Sequence, residues 1–276
     1  MSNEREFSFT QKDFTFLSKI IHERTGIVVS DDKFNMFYSR LSRRVRSLKL
    51  NSFQEYCAIV RDEREGNETS ELINAITTNL TAFFRENHHF EYLSDTVFPE
   101  LTQKNPDRNI KLWSAGCSTG EEPYSLAIIM KESPLLANWN FELKATDLDS
   151  NVVAKANRGV YSMSRVEGMS KKRLKRWFFK GAGKQQGLVK VKPELNQMIE
   201  FGQLNLIDNW SQEPQDVIFC RNVIIYFNKE TKAKLVDQYA NSLKPGGYLF
   251  IGHSESLYKV TDRFELIGNT IYRKIK

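Results

Sequence analysis

"LWSAGCSTGEEPYSLA", Leu112 to Ala127, decides how this chain is read. An apolar run with Ile110, Leu112 and Trp113 ends in a turn of small residues holding Gly116 and Gly120, and a helix-like segment follows. Strand, glycine turn and helix in that order make the ligand-binding corner of an α/β sheet, because glycine lets the backbone turn sharply and approach a ligand closely. The turn lacks the Gly-Lys-Ser/Thr ending of a phosphate-gripping loop and the spacing of GxGxxG. The helix opens instead on two acids, Glu121 and Glu122. Acids in a first turn stabilise a helix through its dipole, and that suffices for Glu121. For Glu122 a second reading is open, in which the ligand is cationic where a dinucleotide carries phosphate.

Outward from this corner the pattern alternates. "NIKLWSAG" precedes the helix Glu121–Glu132, and "FELKATD" (Phe141–Asp147) precedes a helix near Ser150–Asn157. "MIEFGQLNL" (Met198–Leu206), "DVIFC" (Asp216–Cys220), a helix near Lys229–Leu243 stopped by "KPGG", the strand "YLFIGHS" and a hairpin in "FELIGNTIYRKI" complete the series. Such alternation implies a doubly wound, mainly parallel sheet whose ligand lies at the carboxyl ends of its strands. The first 75 or so residues read as helices, with Phe14, Leu17, Ile20, Ile21 and then Phe34, Phe37, Leu41, Val45, Leu48 at helical spacing. Arg61–Ser70 reads as a loop and Glu71–Thr78 as the connection onward. Between Gly159 and Gln197 a basic helix-like piece, "KGAGKQQG" and alternating "LVKVKPEL" break the rhythm, as a small inserted subdomain with a hairpin would. The expected organisation is a helical domain over 1–76 and an α/β domain over 77–276, with the β-subdomain inserted at about 159–197.

With 276 residues, 40% hydrophobic and 27% charged, the composition is that of an ordinary globular protein. The start shows no signal-peptide pattern, and no apolar run approaches the roughly 20 residues that span a bilayer. Cys57, Cys117 and Cys220 are odd in number and far apart, which argues against a disulfide framework or zinc site and for a reducing cytoplasm. The net charge of +6 is unevenly placed: Lys33–Lys49 holds six bases and no acid, and the stretch between Glu167 and Glu194 holds nine bases and no acid. Such blocks suit acidic partners, or stand as solvated faces.

S-adenosylmethionine meets the requirement for a cationic, phosphate-free ligand, carrying a sulfonium and an α-ammonium. Its ribose needs an acid at the end of the next strand. Asp147 stands there, 27 residues beyond Gly120 (147 − 120), with Asp149 as a less well placed competitor. "TNLTAFFRE", "WSAGCSTGEEPYSLA", "ATDLD", "NLI", "FCRNVIIYF" and "LKPGGYLFIGHSES" together resemble the chemotaxis receptor glutamate O-methyltransferases, in order and over about Thr77–Ser256. The resemblance implies a Rossmann-like methyltransferase fold and cofactor contacts from Asn79, Thr81, Arg85, Glu122, Asp147, Asn205, Leu206, Arg221 and Asn222. Glu122 matches the position that meets the cofactor's amino-acid end, Asp147 the ribose acid, Asn205 and Leu206 positions beside the adenine.

In that chemistry a substrate glutamate attacks the sulfonium methyl in line, leaving a methyl ester and S-adenosylhomocysteine. A model glutamate has a pKa of about 4.3 and is already ionised at neutral pH, so no general base is required. The site must supply position and counter-charge. Arg85, whose guanidinium pairs a carboxylate in a fixed fork, and Tyr226, which the resemblance puts near the transferred methyl, are the catalytic candidates. Adjacent His88 and His89 point about 100 degrees apart on a helix and make a poor metal pair, so no metal is expected. "GHSES" lacks the final glycine of a nucleophile elbow.

Opposite its apolar stripe the second helix presents Arg40, Arg43 and Arg46, a face for the glutamate-rich helical bundle of methyl-accepting chemotaxis receptors. The edge of "LVKVKPEL" can take up an extended peptide, and the resemblance, to family members with a glycine-rich loop here, implies that it and Gly181, Gly183 and Gly187 are a second attachment point, for a receptor's C-terminal tail peptide. The expected protein is a cytoplasmic monomer, recruited to receptor arrays at the inner face of the membrane, that inserts nothing into the bilayer and binds no nucleic acid. Two rival functions fit the sequence less well. An RNA methyltransferase would suit the basic blocks, but "RNVIIY" stands where amino-methylating nucleic-acid enzymes carry DPPY or NPPY. A non-catalytic cofactor sensor would leave Arg85 and Tyr226 without a role.

Overall fold

The computed structural model describes residues 5–62, 67–211 and 213–276. The chain divides into two compact units, Met1–Thr78 with Tyr226–Thr231, and Asn79–Ile225 with Lys232–Lys276.

The first unit is helical. Helix α1 (Gln11–Thr25) begins with a reciprocal cap, in which Thr10 accepts from the Asp13 amide while Asp13 Oδ2 accepts from the Thr10 amide at 2.9 Å, and it stops at left-handed Gly26. Helix α2 (Phe34–Ser47) buries Phe37, Leu41 and Val45 completely, as its spacing predicts. Helices α3 (Phe53–Asp62) and α4 (Asn67–Ile76) close the core, where Phe9 and Phe53 meet with ring centroids 4.4 Å apart. The expected loop at Arg61–Ser70 is therefore shorter: α3 reaches Asp62, α4 starts at Asn67, and Glu63–Gly66 lie outside the described residues. Residues 71–76, expected as a connection, are also helical. Leu72 and Ile76 are buried at helical spacing, and the buried Glu68 carboxylate takes two hydrogen bonds from Arg44, at 2.8 and 2.6 Å, so a polar-looking segment has a core face.

The second unit opens with α5 (His88–Tyr92), a wide turn at Leu93–Val97 and α6 (Phe98–Lys104). Then come β1 (Asn109–Ala115), α7 (Glu121–Glu132), β2 (Asn140–Asp147) and α8 (Ser150–Arg158). The inserted segment follows as β3 (Val160–Ser162), α9 (Lys171–Trp177), β4 (Phe178–Lys180), β5 (Leu188–Val191) and α10 (Pro193–Asn196). The chain then returns to the main sheet with β6 (Ile199–Gln203), β7 (Gln215–Cys220), α11 (Lys229–Ser242), β8 (Leu243–Ile251), β9 (Phe264–Gly268) and β10 (Ile271–Lys274).

The main sheet has the order β6-β2-β1-β7-β8-β10-β9. The first five strands are parallel and the last two form the antiparallel hairpin expected at the end of the chain. β7, all six of whose residues are buried, and β1 supply the apolar centre. From β1 the order runs to β2 on one side and jumps to β7 on the other, which makes the β1–β7 boundary the switch point where such sheets open a crevice.

"KPGG" does not act as a plain stop. Helix α11 ends at Ser242, and Lys244–Gly247 already belong to β8 as an irregularity in the ladder, where Gln215 pairs with Leu243 but Val217 pairs with Tyr248. All three cysteines are free and buried. Burial pushes the Cys57 thiol up to about 12 and holds those of Cys117 and Cys220 well above their ordinary value. Among the described residues, no helix is long and apolar enough to cross a membrane.

Candidate active site

The site grows from the register of β1 against β2. Ala115 lies opposite Thr146, so the turn after β1 and the acid ending β2 emerge side by side. The amides of Gly116 and Cys117 both donate to Thr146 O, at 2.8 and 2.9 Å, which stitches the turn to the neighbouring strand. Gly116 has φ +90, and a Cβ there would lie 2.4 Å from Val223 Cγ2, so both backbone and space demand glycine.

Asp147 Oδ2 accepts from the Ser118 amide at 2.7 Å and Oδ1 from the Asp149 amide at 3.0 Å. Burial pushes its carboxyl up to about 6, against the pull of those two amides. The competitor Asp149 is occupied otherwise. Its side chain caps α8 through the Asn151 amide at 2.9 Å and accepts from Asn79 Nδ2 at 2.8 Å. Asp149 thus ties the Asn79 loop to the sheet, and Asp147 is the acid at the strand end. The Leu204 amide donates to Asp147 O at 2.9 Å and brings Asn205 and Leu206 alongside. Asn205 Nδ2 reaches Asp208 at 3.1 Å, and Leu206 is buried.

The two acids of α7 separate. Glu121 is fully buried and ion-paired to Arg165 of the inserted segment, with Thr119 Oγ1 donating to its other oxygen at 2.6 Å. Its role is structural, but through an ion pair that sequence reading did not find. Glu122, 12% exposed, accepts from Ser114 Oγ at 2.8 Å and meets Arg221 Nη1 at 3.2 Å. Burial raises its carboxyl, and Arg221 and Ser114 offset part of that. Arg221, directly after β7, is almost wholly buried, and Nη2 also donates to Arg85 O and lies 3.3 Å from Glu86 Oε2.

Arg85 is 32% exposed, and its Nη1 closes its own loop by donating to Leu80 O at 2.9 Å. Thr81, on the same loop, is half-buried. Asn222 adopts φ +59 and its amide donates to Glu255 Oε2 at 2.8 Å. Glu255 also accepts from the Gly252 and Ile225 amides, at 2.6 and 3.2 Å. Sequence reading missed Glu255 as the anchor of the "RNVII" loop and Glu86 as the partner of Arg221. Only the lone acids in "GHSES" and "FFRE" pointed to them. Tyr226 groups with the helical unit, where its carbonyl accepts from the Val28 amide at 2.8 Å.

His88 and His89 do not splay apart as expected. Their ring centroids are 4.1 Å apart, and with Glu86 they group potential ligand atoms within 4.8 Å of one another. The buried Arg221 cation already faces that carboxylate, and His89 Nε2 is engaged by Asn269 O and Thr270 Oγ1 at 3.1 and 3.0 Å. Of the three only His89 is buried, and Arg221 rather than a metal is the cation that meets Glu86 here.

The proposed contact surfaces change in two places. Arg43 and Arg46 are exposed on α2, but Arg40 folds back so that Nη1 caps the end of α4, 2.7 Å from both Ile76 O and Thr77 O. In the inserted sheet the order is β3-β5-β4, so the "LVKV" strand β5 is central and both its edges are paired. The free edges belong to β3 and β4, and "PEL" has become α10. Gly183 and Gly187 have φ +55 and +83, and a Cβ on Gly181 would lie 2.1 Å from Gln185 O, so the loop does require its glycines.

A doubly wound sheet with a glycine turn, strand-end acids and no phosphate-binding lysine defines a methyltransferase-type site. A family model described as "CheR methyltransferase, SAM binding domain" matches residues 79–273, and "CheR methyltransferase, all-alpha domain" matches residues 12–77. The chain belongs to the CheR methyltransferase family. It is 41% identical over 270 residues to chemotaxis protein methyltransferase 2 of Pseudomonas aeruginosa, covering 97% of this chain and 95% of that one. The chemotaxis protein methyltransferases of Salmonella typhimurium and Escherichia coli are 38% and 40% identical, covering 97% and 94% of this chain and 92% and 89% of theirs.

Proposed function

We propose that this chain transfers a methyl group from S-adenosylmethionine to glutamate side chains in the helical bundle of chemotaxis receptors, as a protein-glutamate O-methyltransferase. The observation that carries the reading is the pair of acids that flank a turn holding no lysine, Glu122 in the first turn of α7 and Asp147 at the end of β2, both with raised carboxyls. Such a pocket suits a ligand with a cationic tail and ribose hydroxyls. The residue types fit the cofactor: in this reading Gly116 leaves room for close approach, Asp147 accepts from ribose hydroxyls, and Glu122 accepts from an ammonium. Asn79, Thr81, Asn205, Leu206, Arg221 and Asn222 complete its surroundings. When bound, the cofactor supplies an electrophilic methyl on sulfonium sulfur.

The protein's part is then positional. Arg85 is the guanidinium that pairs and orients the incoming carboxylate, and the Tyr226 hydroxyl orients that carboxylate or the sulfonium. Neither has to move a proton, since the nucleophile is ionised at neutral pH. Arg43 and Arg46 dock the acidic bundle, and a free edge of the inserted sheet grips the receptor's tail peptide. The chain works as a cytoplasmic monomer recruited to receptor arrays, without a metal. The test is incubation with methyl-labelled cofactor and receptor membranes, then mild alkali. Release of volatile methanol is expected; alkali-stable label, or label in added RNA, would overturn the reading.

A further inference from the structure

Arg221 stands between two acids. Its buried guanidinium lies 3.3 Å from Glu86 Oε2 and 3.2 Å from Glu122 Oε2. One positive charge thus faces two carboxylates in a site largely closed to water, and how it is shared decides what Glu122 can bind. We propose that Glu86 is a positioning residue that takes up the charge of Arg221 and so leaves Glu122 with negative charge for the ammonium of the cofactor's amino-acid end. The inference rests on the reading of Glu122 given above.

The structure weights the sharing toward Glu86. His253 holds that carboxylate twice, its amide donating to Oε2 at 3.1 Å and its Nδ1 meeting Oε1 at 2.9 Å. Arg85 Nε adds a second, partly exposed cation at 3.9 Å. Burial alone would raise the Glu86 carboxyl, but His253 and Arg221 hold it below the usual range. His89 Nδ1 lies 3.7 Å away and brings no charge, because burial, with Arg221 and His88, pushes that imidazole down to about 3. Glu122 by contrast has one cation and one serine hydroxyl, and its carboxyl is raised. In the buried part of the cluster two acids share the single guanidinium of Arg221, with Arg85 farther off and partly exposed, and a cationic ligand completes it. Without Glu86, Arg221 would neutralise Glu122 outright and stand beside the incoming ammonium as a like charge.

Glu86 is also locked in place. It adopts φ +55, two residues after Phe84 at φ +54, and Arg221 Nη2 hydrogen-bonds Arg85 O within the same turn. A purely structural role in that turn is the competing explanation, and the choice of ligands separates the two. S-adenosylhomocysteine carries the amino-acid end; 5′-methylthioadenosine keeps the adenosine and sulfur but lacks it. Calorimetry with both is run on wild type, Glu86→Gln and Glu86→Asp. Wild type is expected to prefer S-adenosylhomocysteine. Glu86→Gln should lose about tenfold to hundredfold of that affinity while methylthioadenosine binds as before, and Glu86→Asp should recover part of the loss. Equal loss for both ligands would show that Glu86 only supports the fold of the turn, and unchanged affinity for S-adenosylhomocysteine would show that Arg221 does not need it; either overturns the proposal. A wild type that binds the two equally well would instead sink the underlying assignment of Glu122.

Discussion

Asp147 is where a single residue makes the sharpest claim. Its carboxyl, pushed up to about 6 by burial, offers both oxygens as charged acceptors to ribose hydroxyls when it is ionised and accepts more weakly when protonated. Ligand binding therefore favours the charged form and opposes protonation. Affinity for S-adenosylhomocysteine should fall as pH drops through about 6 and stay level above it. Asp147→Asn should weaken binding by about 1.5–3 kcal/mol at pH 7.5 and flatten that pH dependence, both readable by calorimetry. A wild type with level affinity from pH 5 to 8 would exclude this role. A second outcome concerns Gly116, where left-handed φ and the 2.4 Å approach to Val223 coincide. Gly116→Ala should destabilise the fold by about 1–3 kcal/mol, seen as a lower melting temperature. Asp147 and Glu122 were legible in the sequence because each stands at an element boundary, where residue type and position together restrict the role. Glu86, Glu255 and Arg165 were not, since each acts through a partner brought near only by the fold, as Arg165 is to Glu121.

At the scale of elements, periodicity placed α2 well, because Phe37, Leu41 and Val45 take the buried face. It could not say that one arginine of the other face would cap a neighbouring helix. Arg40→Ala should therefore cost stability, about 0.5–2 kcal/mol from the lost bonds to the Ile76 and Thr77 carbonyls, while Arg43→Glu with Arg46→Glu, which breaks only the exposed Arg46–Glu6 ion pair, should lower the melting temperature less. The double reversal is expected to reduce receptor methylation with cofactor affinity intact. Equal methylation by wild type and the double variant would remove α2 from the docking face. The inserted sheet shows the same limit: alternation identified β5 as a strand, but pairing on both sides is a tertiary fact. A tail peptide must add to β3 or β4. Shortening Gly181–Gly187, the β4–β5 connection, should cut methylation of tailed receptors at low concentration and spare tail-less ones. An equal fall in both would assign the loop to folding.

For the whole molecule, strand–helix alternation sufficed to predict a parallel sheet, and the switch point between β1 and β7 followed from strand order that only the structure supplies. The division of the chain was less legible, because Tyr226–Thr231 cluster with the helical unit although they are distant from it in sequence. The charge imbalance, +6 overall with two acid-free basic stretches, adds a long-range attraction to an acidic bundle. Methylation at limiting receptor should fall steeply between about 50 and 300 mM salt, as the screening length shrinks below about 10 Å, with cofactor affinity nearly constant. A rate indifferent to salt would argue against electrostatic steering.

The three buried thiols give the molecule a built-in record of its own opening. A thiol kept protonated and out of solvent does not react with an alkylating reagent until the chain around it parts. Cys57 sits in the helical unit, Cys117 in the glycine turn and Cys220 at the end of β7, so labelling times at the three sites read separate local events. A ligand seated on the turn would lengthen the times for Cys117 and Cys220 and leave Cys57 on its own clock.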